Sequence, residues 1–304
     1  MRKVIMSGGS GLVGTLLKDA MDNLGWQVVI LTRGSSGPGL VHWDPMAGVI
    51  DPAGLEGCDY VVHLAGESIA TGRWTRSRKR LIMESREKGT RLLAEALAKA
   101  RMPPRVLLSA SGSNYYKDND GGSPWDESGP SGSGFLSEVC RRWEAAAYPA
   151  QEAGIRVVHA RMGAVLSNKG GILTRMLPAI CSGMGGVIGS GRQRISWIHA
   201  DDLVRALIFM LQKDAFLGPV NVASPIPVSN RDLTRAIAKK LHRLTFLPMP
   251  KTAIWWLFGE MGEELLLADN AISPLKLLEN GMQWEFAEID EALTDLLETH
   301  KCRG

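Results

Sequence analysis

The sequence is poor in cysteine, in net charge and in long apolar runs. Its four cysteines are scattered and form no Cys-x-x-Cys pair, which argues against a zinc site and against a disulfide scaffold. A formal net charge of +3 is too small to indicate a nucleic-acid partner. No apolar stretch approaches the length of a membrane span or of a signal-peptide core. We therefore expect a soluble, cytoplasmic protein without a metal site that binds neither nucleic acid nor a membrane.

What the first half does contain is a regular alternation of short β-branched runs and longer helical patterns. This alternation is typical of a parallel sheet with crossover helices. Strands are predicted at Val4–Met6, Val28–Leu31, Val61–Leu64, Val106–Ser109 and Ile155–Ala160. Helices between them are predicted at Thr15–Leu24, Ser85–Lys99 and Leu136–Ala150. After about Leu166 the alternation stops, and further elements are predicted at Asp201–Leu211, Pro219–Val222 and Asn230–Leu241.

The turn between the first predicted strand and the first predicted helix contains glycines in the pattern Gly-x-x-Gly-x-x-Gly. Such a turn permits a tight bend, a close approach of the backbone to a pyrophosphate, and close packing of the helix on the strand. The pyrophosphate would lie on the free N–H groups of the helix N-terminus. The predicted dinucleotide-binding residues are therefore Gly8, Gly11, Leu12, Val13 and Gly14. The alternative is a glycine turn without a ligand.

The alternating pattern and the glycine-rich turn together predict the fold. We expect an α/β protein with a Rossmann-type doubly wound parallel sheet and a smaller mixed α/β C-terminal cap domain. Residues 1–166, with about 200–224, are assigned to the dinucleotide-binding domain. Residues from about 167–199 and 225–304 are assigned to the cap, on the substrate side.

The end of the second predicted strand indicates which dinucleotide is bound. An NAD-selective site usually places an acidic residue there to bind the adenosine ribose. In this chain the strand is followed by Thr32 and Arg33, and no acidic residue occurs between Asp22 and Asp44. An arginine at this point suits a 2′-phosphate, and the threonine adds a hydroxyl. We therefore predict NADP(H) rather than NAD(H), the alternative being that Arg33 is a solvated loop residue.

These features, with several further motifs, resemble the extended short-chain dehydrogenase/reductases of the NAD-dependent epimerase/dehydratase family. The motifs are Trp43-Asp44, Val61 to Gly66, Gly89-Thr90-Arg91 and Arg161-Met162-Gly163. The likeness is strongest to a branch called epimerase family proteins, some of them named nucleoside-diphosphate-sugar epimerases or SulA-like, through Phe135-Leu136 and Ser196-Trp197-Ile198-His199. The resemblance implies further cofactor-binding positions at Asp44, Leu64, Ala65, Gly66 and Gly163.

The catalytic pattern of the wider family, Tyr-x-x-x-Lys, is missing. In that family the tyrosine transfers a proton, and the lysine lowers the tyrosine pKa and holds the nicotinamide ribose. No tyrosine of this chain is followed four residues later by lysine. At the expected helix start, Phe135 or Leu136 stands at the tyrosine position, and Val139 or Cys140 at the lysine position.

Other side chains are candidates for the missing chemistry. Ser111 matches the substrate-orienting serine of the family, and Tyr115 or Tyr116 beside it could supply the acid or base. The alternative is that both tyrosines only pack their loop. Arg86 replaces the family's asparagine, and it either holds a cofactor phosphate or an acidic substrate, or pairs with a neighbouring glutamate on the helix surface. His199 is either a proton carrier or a helix cap.

The resemblance implies an NADP(H)-binding oxidoreductase or epimerase-like enzyme. Its substrate would be a small sugar or carbonyl compound, phosphorylated or linked to a nucleotide. The alternative is a non-catalytic NADP(H)-binding redox sensor or regulator, which the loss of the Tyr-x-x-x-Lys pair favours. The resemblance also allows a homodimer, because extended members often pair through helices such as Ser85–Lys99.

Overall fold

The computed structural model describes residues 1–245 and 248–298. The strands are β1 (Lys3–Ser7), β2 (Gln27–Thr32), β3 (Leu40–Asp44), β4 (Val49–Ile50), β5 (Tyr60–His63), β6 (Val106–Gly112), β7 (Arg156–Met162), β8 (Ala164–Ser167), β9 (Arg194–Ile195), β10 (Trp197–His199), β11 (Gly218–Val222) and β12 (Val228–Ser229). The helices are α1 (Leu12–Asn23), α2 (Arg76–Ala98), α3 (Phe135–Ala145), α4 (Tyr148–Glu152), α5 (Gly171–Cys181), α6 (Ala200–Gln212), α7 (Asn230–Lys240), α8 (Lys251–Phe258), α9 (Glu260–Gly262), α10 (Leu275–Glu279) and α11 (Ile289–Leu297). A π-helical turn covers Glu263–Leu267.

The central sheet has eight strands in the order β11-β7-β6-β5-β1-β2-β3-β4. Its strand pairs are parallel except β3 with β4, which are antiparallel. The chain runs outward in one direction from β1 to β4 and in the other from β5 to β11, so the order reverses between β1 and β5. In open α/β sheets a ligand binds in the crevice at such a reversal, at the carboxyl ends of the strands. This architecture confirms the predicted Rossmann-type fold.

Apolar side chains cover both faces of this sheet. On one face Leu17 and Met21 of α1 pack with Leu207 of α6 against the strands, and all three are buried. On the other face Leu93 and Leu97 of α2 do the same. Each helix thus contributes an apolar stripe at helical spacing, which is the pattern that predicted α1 and α2. The crossover helices hold the carboxyl ends of β1, β5 and β6 in a fixed register.

The second half of the chain builds its own apolar cluster. It includes Leu173 of α5, Trp197 of β10, Leu233 of α7 and Leu293 of α11. Within the described residues, no helix is long and apolar enough to cross a membrane. The division of the chain into the two predicted domains stays a prediction.

The strands predicted in the first half are confirmed, whereas two helices differ from the prediction. Helix α2 begins at Arg76 rather than at Ser85, because the Thr75 hydroxyl caps it by accepting a hydrogen bond from the Arg78 N–H at 3.2 Å. The helix predicted at Leu136–Ala150 is two helices, and Pro149 lies in the first turn of the second. A proline is tolerated there but not inside a continuous helix, because it lacks an N–H.

Candidate functional site

The glycine-rich turn has the geometry of a dinucleotide-binding loop. Gly8 has a φ of +73°, a conformation that favours glycine, and its carbonyl accepts a hydrogen bond from the Gly11 N–H at 3.0 Å. A Cβ on Gly14 would lie 2.2 Å from the Gly8 carbonyl oxygen, and a Cβ on Gly8 would lie 2.8 Å from the Ala65 nitrogen. The loop therefore packs directly on the segment after β5, and neither position has room for a side chain.

The N-terminus of α1 is open to a ligand. Its N-cap residue is Gly11, which provides no side-chain cap, and the first turn carries no acidic residue. The N–H groups of Leu12 and Val13 at this end carry partial positive charge and need acceptors. Together with the close packing of the glycines, this arrangement fits a pyrophosphate, as the sequence predicts.

The loop after β2 carries the predicted NADP-selecting residues at the carboxyl end of the sheet. Thr32 accepts a hydrogen bond from the Gly34 N–H at 3.1 Å, and His42 Nδ1 donates to the Gly34 carbonyl at 2.8 Å. Arg33, between them, is exposed. The loop backbone is thus fixed between β2 and β3 while the arginine side chain is left accessible. Asp44, at the end of β3, accepts from the N–H groups of the two residues 46 and 47 and so caps a turn.

The carboxyl end of β5 joins the glycine-rich turn through a buried histidine. The Ser7 hydroxyl lies 2.7 Å from His63 Nδ1 and accepts from the Ala65 N–H at 3.3 Å. His63 is fully buried, and burial, together with the charge of Arg86, lowers its pKa to about 4. His63 is therefore neutral at pH 7, and this hydrogen-bonded pair holds the turn from Leu64 onward against β1.

The Arg86 side chain packs against Gly66, the next residue along this segment. A Cβ on Gly66 would be 3.0 Å from the guanidinium carbon, so the missing side chain makes room for the arginine. Nη1 of Arg86 donates to the carbonyls of Glu67 at 2.8 Å and Ile82 at 3.2 Å, and the guanidinium lies 4.8 Å from the centre of the Trp143 ring. The predicted alternative of a surface pair with a neighbouring glutamate is therefore wrong.

Gly163, the remaining position implied by the family, follows β7. A Cβ there would lie 2.7 Å from the Ser196 carbonyl oxygen, and the Gly163 N–H donates to the Val222 carbonyl at 3.0 Å. A side chain at this position would clash with the backbone just before β10, so the position requires glycine. Its predicted role in cofactor binding stays a prediction, as do those of Leu64, Ala65 and Gly66.

Ser111 belongs to a buried charged network that the sequence did not reveal. Its hydroxyl donates to Glu144 of α3 at 2.7 Å. Arg161 of β7 donates to both oxygens of the same carboxylate, each at 2.8 Å, and through Nη1 to the Tyr116 hydroxyl at 2.8 Å. The Tyr116 hydroxyl donates in turn to the Asn221 side chain at 2.7 Å. The parallel pairing of β6 with β7 sets Ser111 directly opposite Arg161, which explains how the network assembles.

The network gives the two neighbouring tyrosines different chemistry. Burial raises the pKa of Tyr116 to about 12, and both its hydrogen-bond roles are taken, so it packs the loop as the alternative prediction held. The Tyr115 ring lies 3.4 Å from the Arg161 guanidinium carbon, and its hydroxyl has no hydrogen-bond partner among residues 1–245 and 248–298. Tyr115 and Ser111 therefore remain the candidates for contact with a substrate.

The start of α3 is the place where the wider family carries the tyrosine. The Phe135 ring packs edge-on against Trp74, with 5.0 Å between the ring centres. The carboxylate of Glu264 accepts from the N–H groups of Phe135 and Leu136, at 2.7 Å each. Cys140, one turn further, is buried, and burial raises the pKa of its thiol to about 11. This end of α3 carries no group that exchanges a proton at pH 7.

One sequence candidate, His199, and the glycine-rich segment 185–191 have structural roles. His199 is the N-cap of α6, where Nδ1 accepts from the Asp201 N–H at 3.2 Å, so it caps a helix, as one of the two alternatives held. The glycine-rich segment 185–191 uses its own N–H groups within the second half of the chain: Gly189 donates to Met249 and Gly191 to Ile188.

Comparisons with known proteins identify the family of the chain. Residues 4–223 match the NAD dependent epimerase/dehydratase family, and residues 249–296 match a domain of unknown function, DUF1731. The chain therefore belongs to the NAD dependent epimerase/dehydratase family, which confirms the resemblance seen in the sequence.

Relatives extend over almost the whole chain. The epimerase family protein Mb2239 of Mycobacterium bovis is 40% identical over 291 residues, which is 95% of this chain and 96% of that protein. The crystal structure of the human epimerase family protein SDR39U1 with NADPH superposes with a TM-score of 0.88 at 32% identity, covering 98% of this chain and 99% of that one. A nucleoside-diphosphate sugar epimerase from Corynebacterium glutamicum is 33% identical, with a TM-score of 0.79, over 97% of this chain and 58% of that one.

Proposed function

We propose that the protein is an NADP(H)-dependent oxidoreductase or epimerase-like enzyme acting on a small sugar or carbonyl compound. The observation that supports NADP(H) as the cofactor is the position of Arg33. It is exposed on a fixed loop at the end of β2, with no acidic residue beside it. The glycine-rich turn and the uncapped N-terminus of α1 support the same proposal, as does the human relative crystallised with NADPH.

Individual residues would have the following roles. The N-terminus of α1 would hold the pyrophosphate, and Arg33 the 2′-phosphate. The cofactor, when bound, would supply hydride exchange with a carbon of the substrate. Ser111 donates its own proton to Glu144, so it would accept a hydrogen bond from a substrate hydroxyl next to the reacting oxygen. Tyr115, held against Arg161, would move the proton at that oxygen.

A second function is favoured by one observation, the start of α3. Phe135 or Leu136 stands at the tyrosine position there and Val139 or Cys140 at the lysine position, so the chain could bind NADP(H) as a redox sensor without turnover. Oxidation of NADPH with a panel of sugar and carbonyl compounds separates the two functions. Turnover that is lost in Tyr115→Phe supports the enzyme, whereas binding of both redox forms without turnover supports the sensor.

The cofactor proposal is tested by fluorescence titration of NADPH and NADH into the wild-type protein and Arg33→Ala. We expect NADPH to bind at least about tenfold more tightly, and the preference to disappear in the variant, because a charge-assisted phosphate contact contributes about 1.5–3 kcal/mol. Tighter binding of NADH to the wild-type protein would contradict the proposal.

A further inference from the structure

Arg86 forms no ion pair with another side chain among residues 1–245 and 248–298. A guanidinium has five N–H donors, and Arg86 uses two of them, both on Nη1 and both toward backbone carbonyls. Among residues 1–245 and 248–298, Nε and Nη2 have no hydrogen-bond acceptor. Burial of a cation without a counter-ion is costly, and it lowers the pKa of Arg86 to about 10.

Acidic side chains are available nearby, but each of them is paired elsewhere. The pairs are Glu67–Arg78 at 3.0 Å, Glu84–Lys88 at 3.1 Å and Glu87–Arg142 at 3.7 Å. Two of these acids lie within two residues of Arg86 in the sequence and still point to other partners. Arg86 therefore forms no ion pair with these acids, although two of them are close to it in the sequence.

The position of Arg86 shows what can reach it. The guanidinium lies between Gly66, at the carboxyl end of β5, and the buried ring of Trp143 on α3. On the same helix, the Cys140 thiol donates to the Gly112 carbonyl at 3.7 Å, and Glu144 accepts a hydrogen bond from the neighbouring Ser111 hydroxyl at 2.7 Å. Arg86 and Ser111 thus contact consecutive residues of α3, Trp143 and Glu144, and Arg86 is only partly buried.

We propose that Arg86 binds a carboxylate or phosphate group of the substrate, beside Ser111, so that the substrate of this protein is an acid. This inference rests on the proposed function. The pyrophosphate site lies at β1 and α1, whereas Arg86 lies beyond β5, on the side of β6 and α3. The charge is therefore placed on the substrate side of the crevice. A planar guanidinium with an open edge fits either anionic group, through two parallel hydrogen bonds.

The experiment uses calorimetric titration of the full chain in two stages. In the first, 2′,5′-ADP and NADPH are titrated into the wild-type protein, Arg86→Met and Arg80→Met. Arg80 is the matched control, an exposed arginine on the same helix. We expect all three proteins to bind both nucleotides within about twofold of one another, which also shows that Arg86→Met is folded.

In the second stage, malonate and inorganic phosphate are titrated into the proteins saturated with NADP⁺. We expect the wild-type protein and Arg80→Met to bind one equivalent of at least one anion, and the better probe identifies the group. Arg86→Met should bind it about tenfold more weakly or not at all. If Arg86→Met does not fold, Arg86→Lys decides: it keeps the charge but loses the planar fork, so its affinity should fall at least about threefold.

Three results would overturn the inference. They are the absence of anion binding to the wild-type protein, equal anion binding by the Arg86 variant, and an Arg86 variant that loses affinity for NADPH but not for 2′,5′-ADP. The last result would show that Arg86 holds the nicotinamide half of the cofactor. If the wild-type protein binds no NADP(H) at all, the proposed function fails instead, and anion titration of the cofactor-free protein still tests Arg86.

Discussion

The ion pair between Glu144 and Arg161 gives the sharpest test of how the site is held together. The two side chains are only 12% and 3% exposed, and three hydrogen bonds of 2.7–2.8 Å end on the Glu144 carboxylate. Glu144→Leu would leave the Arg161 charge buried without a counter-ion. Breaking a buried pair from one side costs about 3–5 kcal/mol, so we expect the free energy of unfolding to fall by about 4 kcal/mol.

Removing both charges should cost much less than removing one. In Glu144→Leu combined with Arg161→Met, no uncompensated charge remains, so we expect a loss of about 1 kcal/mol or less. The control is Glu138→Ala on the same helix, because Glu138 pairs with Arg142 at the surface. Exposed pairs contribute about 0–1 kcal/mol, and the control should lose no more.

Urea unfolding followed by circular dichroism measures the wild-type protein, these three variants and the single variant Arg161→Met under one set of conditions. The slope of the free energy against urea concentration should stay constant, so that midpoints report stability. The reasoning would be refuted if Glu144→Leu unfolded at the same midpoint as Glu138→Ala. It would also be refuted if the two buried substitutions were additive in the double variant, because additivity means that the two groups do not interact.

Three further predictions concern the glycine-rich turn, the buried histidine and the cap of α3. Gly14→Ala should lose both fold stability and NADPH binding, whereas Gly11→Ala, whose Cβ would be 3.4 Å from its neighbour, should lose only NADPH binding. The pKa of His63 is about 4 in the fold against 6.5 ordinarily, so stability is complete above pH 6.5 and about 3 kcal/mol is lost as the pH falls toward 4. His63→Asn should remove this loss. Glu264→Ala should cost about 1–2 kcal/mol, because two N–H groups of α3 lose a charged acceptor.

Urea unfolding and NADPH titration check these three as well. His242→Asn, at an exposed position, is the control for the histidine and should leave the acid loss unchanged. If His63→Asn loses as much stability between pH 7 and pH 4.5 as the wild-type protein, the assigned cause is wrong. Equal NADPH affinity in Gly11→Ala would place the pyrophosphate elsewhere. A stable Glu264→Ala variant would show that water caps α3 equally well.

The parts of the fold that sequence could predict are those fixed by local chemistry. The glycines at 8, 11 and 14 signal their turn because a side chain at 8 or 14 has no room, whatever the rest of the fold. The Ser229 cap of α7 is equally local, since its hydroxyl accepts from the N–H three residues later. The glycine-rich turn was predicted at these residues, and the predicted helix Asn230–Leu241 begins where the structure begins α7.

The parts that could not be predicted depend on pairs distant in sequence. Glu144 and Arg161 are 17 residues apart, and only the packing of α3 against β6 and β7 joins them through Ser111. Glu264 reaches the start of α3 from 129 residues away. The unpaired state of Arg86 is of the same kind, because it depends on where its neighbouring glutamates find their partners.

The last part of the chain is tied to the sheet in a way that bears on how such proteins evolve. Leu277 of α10 and Met282 are buried in the same apolar cluster as β1, α1 and α6, and the Lys276 ammonium donates to the carbonyls of 217 and 219 beside β11. The matched segment 249–296 is therefore not an appendage that recombination could exchange freely. A new tail would have to reproduce these sheet contacts, so the two parts should be inherited together.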